Sequence, residues 1–211
     1  MTPHIALLGD SIFDNHVYTG GEPDVVTHLR DLLPSPWAAT LCAVDGATTS
    51  DFGKQLKRVP AHVTHTVLSI GGNDALMNAD LLNLPVRSTA EALDRFGERL
   101  ETFERSYGWA LEAVLALGRK TTVCTIYNGN LGASEAPRAR LALMMFNDVI
   151  VRAALQHSVD IVDLRLICTQ PGDYANPIEP SGPGGRKIAA AIAAALGAVG
   201  TPRRKSTATG G

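Results

Sequence analysis

Cysteine, aromatic residues, long apolar runs and net charge are all in short supply in this chain, and each shortage excludes a class of function. There are three cysteines, Cys42, Cys124 and Cys168, scattered and without a close pair. Metal sites built on cysteine use such pairs, so none is expected. Cys42 and Cys124 sit inside apolar, strand-like runs, where cysteine acts as a small hydrophobe, so no catalytic cysteine is expected either. Aromatic residues make up 5% of the chain, which suggests a small or exposed substrate pocket. No stretch approaches the roughly 20 apolar residues of a membrane span, and no membrane association is expected. The opening residues, Met1-Thr2-Pro3-His4, lack a basic segment followed by a long apolar one. The expected compartment is the cytosol. The net charge of −2 gives no reason to expect a nucleic-acid partner. Three of the basic residues, Arg203, Arg204 and Lys205, lie beyond Thr201, where no acid follows, so the body is more acidic than the total suggests.

What the chain does have is apolar substance, 45% of 211 residues, enough for one domain with a sizeable core. We expect a domain over residues 1–200 and a disordered basic tail over 201–211. Short runs that are apolar on both faces read as buried parallel strands: Ile5–Leu8, Ala38–Val44, Thr66–Ile70, Thr121–Ile126 and Asp160–Leu164. Helical patterns alternate with them at Pro23–Leu33, Thr48–Leu56, Ser88 to about Leu117, Pro137–His157 and Gly184–Val199. Ser88-Thr89-Ala90-Glu91 is a capping box that opens the third of these. Such alternation implies α/β architecture, a parallel sheet with helices on both faces. Gly129–Glu135 and the glycine- and proline-rich Gln170–Gly185 read as loops.

The residues with chemical potential follow strand ends, where an open α/β sheet gathers its site. The first strand runs into Gly9-Asp10-Ser11-Ile12, which presents a serine. Asp45-Gly46-Ala47-Thr48 follows the second strand and Gly71-Gly72-Asn73-Asp74 the third. Serine is a weak nucleophile without a base and an anion-stabilising pocket. The backbone N–H groups of Ser11 and Gly46 and the amide of Asn73 are suitable oxyanion donors. Tyr127 and Asn128, after the fourth strand, are positioned to line a cleft. Asp74 reads as a loop-bonding carboxylate, Asp163 as a structural one, Asn147 as a buried hydrogen-bonder, and Arg186 and Lys187 as solvated.

With these blocks in place the chain resembles the GDSL-type, or SGNH, hydrolases. Gly9-Asp10-Ser11-Ile12 resembles their first block, Gly46 the glycine of the second, and Gly71-Gly72-Asn73-Asp74 the third. The resemblance covers about His4 to Val199. It implies a flavodoxin-like three-layer α/β/α sandwich with a five-stranded parallel sheet. It also implies hydrolysis of carboxylic esters or related small-molecule acyl substrates through Ser11, without metal or organic cofactor. The last block departs from the family pattern, which places an aspartate three residues before a histidine. Here those positions hold Asn176 and Glu179. Three readings stay open. Glu179 serves as the base, oriented by a hydrogen bond donated by Asn176; or His16, five residues after Ser11, replaces it; or the chain is a catalytically inactive ligand-binding protein on an SGNH scaffold.

Overall fold

The computed structural model describes residues 2–198. The expected basic tail of 201–211 lies outside them, as does the end of the last helix expected at Val199. Five parallel strands form one sheet: β1 (His4–Gly9), β2 (Ala38–Leu41), β3 (His65–Ser69), β4 (Lys120–Cys124) and β5 (Asp160–Val162). Their order is β2-β1-β3-β4-β5, the flavodoxin-like order, which places a topological switch point between β1 and β3. The expected three-layer sandwich is the observed fold.

Helices α1 (Val25–Leu32), α2 (Gly53–Leu56), α3 (Gly72–Met77), α4 (Thr89–Leu115) and α5 (Ala136–Gln156) lie between successive strands, and α6 (Gly182–Ala195) follows β5. Side chains alternate across a strand, and β1 divides the core accordingly. Ile5 and Leu7 pack with Val25, Val26 and Leu29 of α1 and Ile188 and Ile192 of α6. Ala6 and Leu8 face the other way, toward Phe103, Tyr107 and Leu111 of α4 and Phe146 and Ile150 of α5.

The differences from the expected elements lie near the site. The second strand stops at Leu41 instead of Val44, because Cys42 and Ala43 both donate to the Leu7 carbonyl and break the ladder. The helix expected over Thr48–Leu56 is a 3-10 turn, Thr49–Asp51, followed by the single turn of α2. Helix α3 and the 3-10 turn Ala79–Asn83 after it carry too short an apolar pattern to read from sequence. The last helix starts two residues early, at Gly182, capped by the Ser181 hydroxyl, which accepts from the Gly184 N–H at 3.1 Å. The Ser88 cap of α4 is present, its hydroxyl accepting from the Glu91 N–H.

Candidate active site

The serine turn is built by close backbone approach. Gly9 has φ +135°, and a Cβ there would collide with the Ser69 carbonyl of β3, so only glycine fits. Buried Gln55 fixes the same residue: its amide oxygen accepts from the Gly9 N–H at 2.8 Å, and its amide nitrogen donates to the Gly9 carbonyl at 2.6 Å. Beyond Gly9 the Asp10 carbonyl accepts from the N–H groups of Phe13 and Asp14, and the Asp10 carboxylate accepts from Ile12 N–H. The chain therefore turns sharply and leaves Ser11 at the crest, 7% exposed. The second Asp10 oxygen is buried without a partner. Burial pushes this carboxyl up to about 7.

Ser11 Oγ donates to Glu179 Oε1 at 3.0 Å, across 168 residues of sequence. Glu179 is 6% exposed, and its Oε2 has no partner. Burial raises its pKa to about 7, against the hydrogen bond from Ser11, which lowers it, and with the nearby Asp45 charge, which raises it further. The loop carrying Glu179 is held from several directions. Its own carbonyl accepts from Ala175 N–H. Tyr127 Oη donates to the Ile178 carbonyl at 2.6 Å, and Asn15 Nδ2 to the Pro180 carbonyl at 3.1 Å.

Asn176 joins this loop, but its bond runs opposite to the expected one. Its side-chain oxygen accepts from the backbone N–H groups of Ile178 and Glu179, both at 2.9 Å. It shapes a turn and donates nothing to the Glu179 carboxylate among the hydrogen bonds of the described residues. The reason is steric economy: with Pro177 following, the asparagine closes on the next free N–H groups of its own chain. His16 is exposed and forms no side-chain bond to Ser11.

Asn73 is the second residue of α3, and its amide donates to the Ala47 carbonyl at 3.0 Å. An amide nitrogen carries two hydrogens, so one remains to point at a ligand. The same bond ties α3 to the turn containing Gly46, which has φ +74° and is exposed. Asp74 reinforces that tie by accepting from Thr49 N–H and Thr49 Oγ1. Asp10, Ser11, Asn73 and Glu179 all line one cavity of about 330 Å³; Gly46 is joined to it through Ala47 and is not itself in the lining.

Eleven of the 25 lining residues are aliphatic or alanine, mainly from α3, α5 and the turns around them, with Ile126, Tyr127 and Asn128 after β4 and Ile178 beside Glu179. Asn147 holds the Ile126 backbone at both its N–H and its carbonyl, at 2.7 and 2.8 Å. All three cysteines are buried and free, and burial raises their thiol pKa values, Cys168 to about 12. Among the described residues no group of three or more His, Cys, Asp or Glu side chains is placed to hold a metal ion, and no helix is long and apolar enough to cross a membrane.

The model of the GDSL-like lipase/acylhydrolase family matches residues 7–187, most of the chain. The chain belongs to that family. Solved structures similar to this GDSL-like chain include an extracellular lipase from Streptomyces rimosus, 16% identical, TM-score 0.68, covering 95% of this chain and 100% of that one. Phospholipase A1 from Streptomyces albidoflavus is 18% identical with TM-score 0.69 and the same two coverages. A lipase from a goat rumen metagenome is 18% identical with TM-score 0.70, covering 92% and 97%. At these identities the likeness concerns the fold. No curated protein matches the sequence.

Two features of this GDSL-like site escaped sequence reasoning. Gln55 is a buried polar residue whose partners are the backbone groups of Gly9, remote in sequence, and nothing in its local pattern announces that. Lys187, expected to be solvated, donates to the buried Asp173 carboxylate at 2.6 Å. Asp173 also accepts from the N–H groups of Thr169 and Gln170, so the base of the Glu179 loop is anchored to α6. The signal for this pair was an aspartate inside a glycine- and proline-rich loop six residues before Glu179.

Proposed function

We propose that this member of an acyl-hydrolase family is a serine esterase in which Ser11 is the nucleophile and Glu179 the general base. The observation that carries the reading is the 3.0 Å bond from Ser11 Oγ to a buried carboxylate whose pKa is raised to about 7. An ordinary glutamate is too weak a base for a serine hydroxyl; one moved toward the working pH is matched to the task.

In this mechanism Ser11 Oγ attacks the ester carbonyl while its proton passes to Glu179. The tetrahedral oxyanion is held by the N–H groups of Ser11 and Gly46 and the free amide hydrogen of Asn73. Collapse expels the alcohol, which takes the proton from Glu179 and leaves an acyl-serine. Water then attacks the acyl-serine, giving its proton to Glu179; collapse breaks the acyl–Oγ bond, Ser11 takes the proton back from Glu179, and the carboxylic acid leaves. Asn176 acts here as a positioning residue that sets the backbone turn beneath Glu179. The substrate is a small-molecule acyl ester.

Covalent labelling by a fluorophosphonate tests the reading with wild type, Ser11→Ala and Glu179→Gln. Wild type should label at a rate that rises with pH through about 7, as Glu179 ionises. Ser11→Ala should not label, and Glu179→Gln should slow labelling on the order of a hundredfold or more. Equal labelling of wild type and Glu179→Gln would remove Glu179 from the mechanism. No labelling of wild type at any pH would leave a ligand-binding protein on this fold.

A further inference from the structure

The cavity beside Ser11 has walls of an unusual kind for its size. Helix α5 turns Ala139, Ala142 and Phe146 toward it, spaced so that all three share one helix face. From the opposite side Ala75 of α3 and Ala79 of the following turn line the same space. The volume exists because four alanines stand where larger side chains would close it. Polar lining residues such as Asn83, Glu135 and Arg138 are exposed, at the mouth, whereas Ile126 and Phe146 are buried, at the floor. Between the end that holds Asp10, Ser11, Asn73 and Glu179 and the exposed rim, the walls offer mainly alkyl and phenyl surface, which favours an apolar chain over a polar one, whose groups would lose hydrogen bonds there.

We propose that this cavity takes an unbranched aliphatic acyl chain of medium length, and that Ala139 and Ala142 set that length. The inference rests on the serine-esterase reading and adds its substrate class. The cavity, about 330 Å³, is many times the roughly 10–15 Å³ that a single water requires, room for a chain of several carbons. Its lining begins at Ser11 and Asn73, where the ester carbonyl is bound, so the chain attached to that carbonyl runs inward between α3 and α5. Each methylene buried there raises kcat/KM by up to about fourfold, until the chain outgrows the cavity.

The test is the dependence of kcat/KM on acyl length for p-nitrophenyl esters from acetate to palmitate. In wild type the octanoate should exceed the acetate by at least about tenfold and the palmitate should fall below the octanoate. Ala142→Phe should lower the octanoate-to-acetate ratio about tenfold or more, and the smaller Ala139→Leu should lower it less. Both rates are read on one preparation, so any unfolded fraction cancels in the ratio. A flat profile in wild type, or one unchanged by both substitutions, would overturn the assignment. So would a length dependence seen with alkyl acetates in place of acyl esters, which would put the chain on the alcohol side. Calorimetric titration of Ser11→Ala with octanoate separates this inference from the one beneath it. Octanoate binding without hydrolysis of any ester by wild type would sink the catalytic reading and keep the cavity's ligand. Acetate hydrolysis without chain-length preference would do the reverse.

Discussion

A carboxylate in the place of an imidazole changes what the serine's partner must do. Histidine is neutral before it takes the proton; Glu179 is charged before and neutral after. A buried site therefore favours the product of proton transfer to Glu179, because burial penalises the charged form. The same burial, together with the unpartnered Oε2, gives Glu179 its basicity. Geometry is the second requirement. Glu179→Asp keeps the charge and withdraws the oxygen by one carbon, opening the 3.0 Å contact with Ser11. We expect ester hydrolysis to fall on the order of a hundredfold in that variant, with the mid-point of its pH profile moving toward the ordinary aspartate value as water enters the gap. Steady-state kinetics between about pH 5 and 9 would check both parts. An unshifted mid-point would mean that a different group titrates. Gly9 is the residue with least freedom in the site. Gly9→Ala forces a Cβ into the Ser69 carbonyl in a left-handed conformation, and soluble, cooperatively melting protein should not be recovered from expression trials.

At the level of elements, the site depends on how the Glu179 loop is tied to the serine turn. Asn15 is the bridge: fully buried, it donates to the Pro180 carbonyl and accepts from the Val25 N–H that opens α1. Asn15→Ala would leave both backbone groups without partners, at about 1–3 kcal/mol for each buried group orphaned. Urea unfolding should show a loss of about 2 kcal/mol or more, and kcat should fall with it while the pH mid-point stays in place, because the carboxylate keeps its burial. A stability loss with unchanged kcat would show that the loop does not need this tether. This element scale also marks how far the sequence could be read. Strand positions and the helices α1, α4, α5 and α6 were legible because their apolar periodicity is long enough to repeat. Helix α3, six residues long, gave no such signal, although Asn73 stands on it. The candidates Ser11, Asn73 and Glu179 were picked out by their places after strand ends and by family pattern, and they line one cavity. The direction of the Asn176 bond was not legible, since either end of an amide can meet a neighbour and only the turn at Pro177 decides which does.

At the scale of the whole molecule, the site leaves a mark on how stability varies with pH. Glu179 is raised from 4.5 to about 7 and Asp10 from 3.8 to about 7, both by burial first. The folded state keeps protons that the unfolded chain has released, so both groups stabilise the fold fully below their unfolded values and lose that contribution as pH rises toward 7. Other groups run the opposite way. Asp163 is lowered by its hydrogen bond from Arg165, and Asp173 is lowered because Lys187 and two N–H groups outweigh its burial. Their contribution is present above the ordinary carboxylate range and disappears in acid. His4 and His65 are lowered by burial, which favours their neutral forms and withdraws stability as pH falls below 6.5; both are partly exposed, so their share is small. A glutamine at position 179 imitates the protonated acid and removes one of these terms cleanly. The stability of Glu179→Gln relative to wild type should therefore grow by about 3 kcal/mol between about pH 4.5 and 8, measured by urea unfolding at several pH values. A constant difference across that range would mean that Glu179 titrates in the folded protein as it does in the unfolded chain, and the basis for its role as a base would go with it. The predicted pH dependence has a functional corollary. On the proposed mechanism the protein should be most active where Glu179 is ionised, which is where its fold carries the cost of that buried charge, and Glu179→Gln should be the more stable protein there.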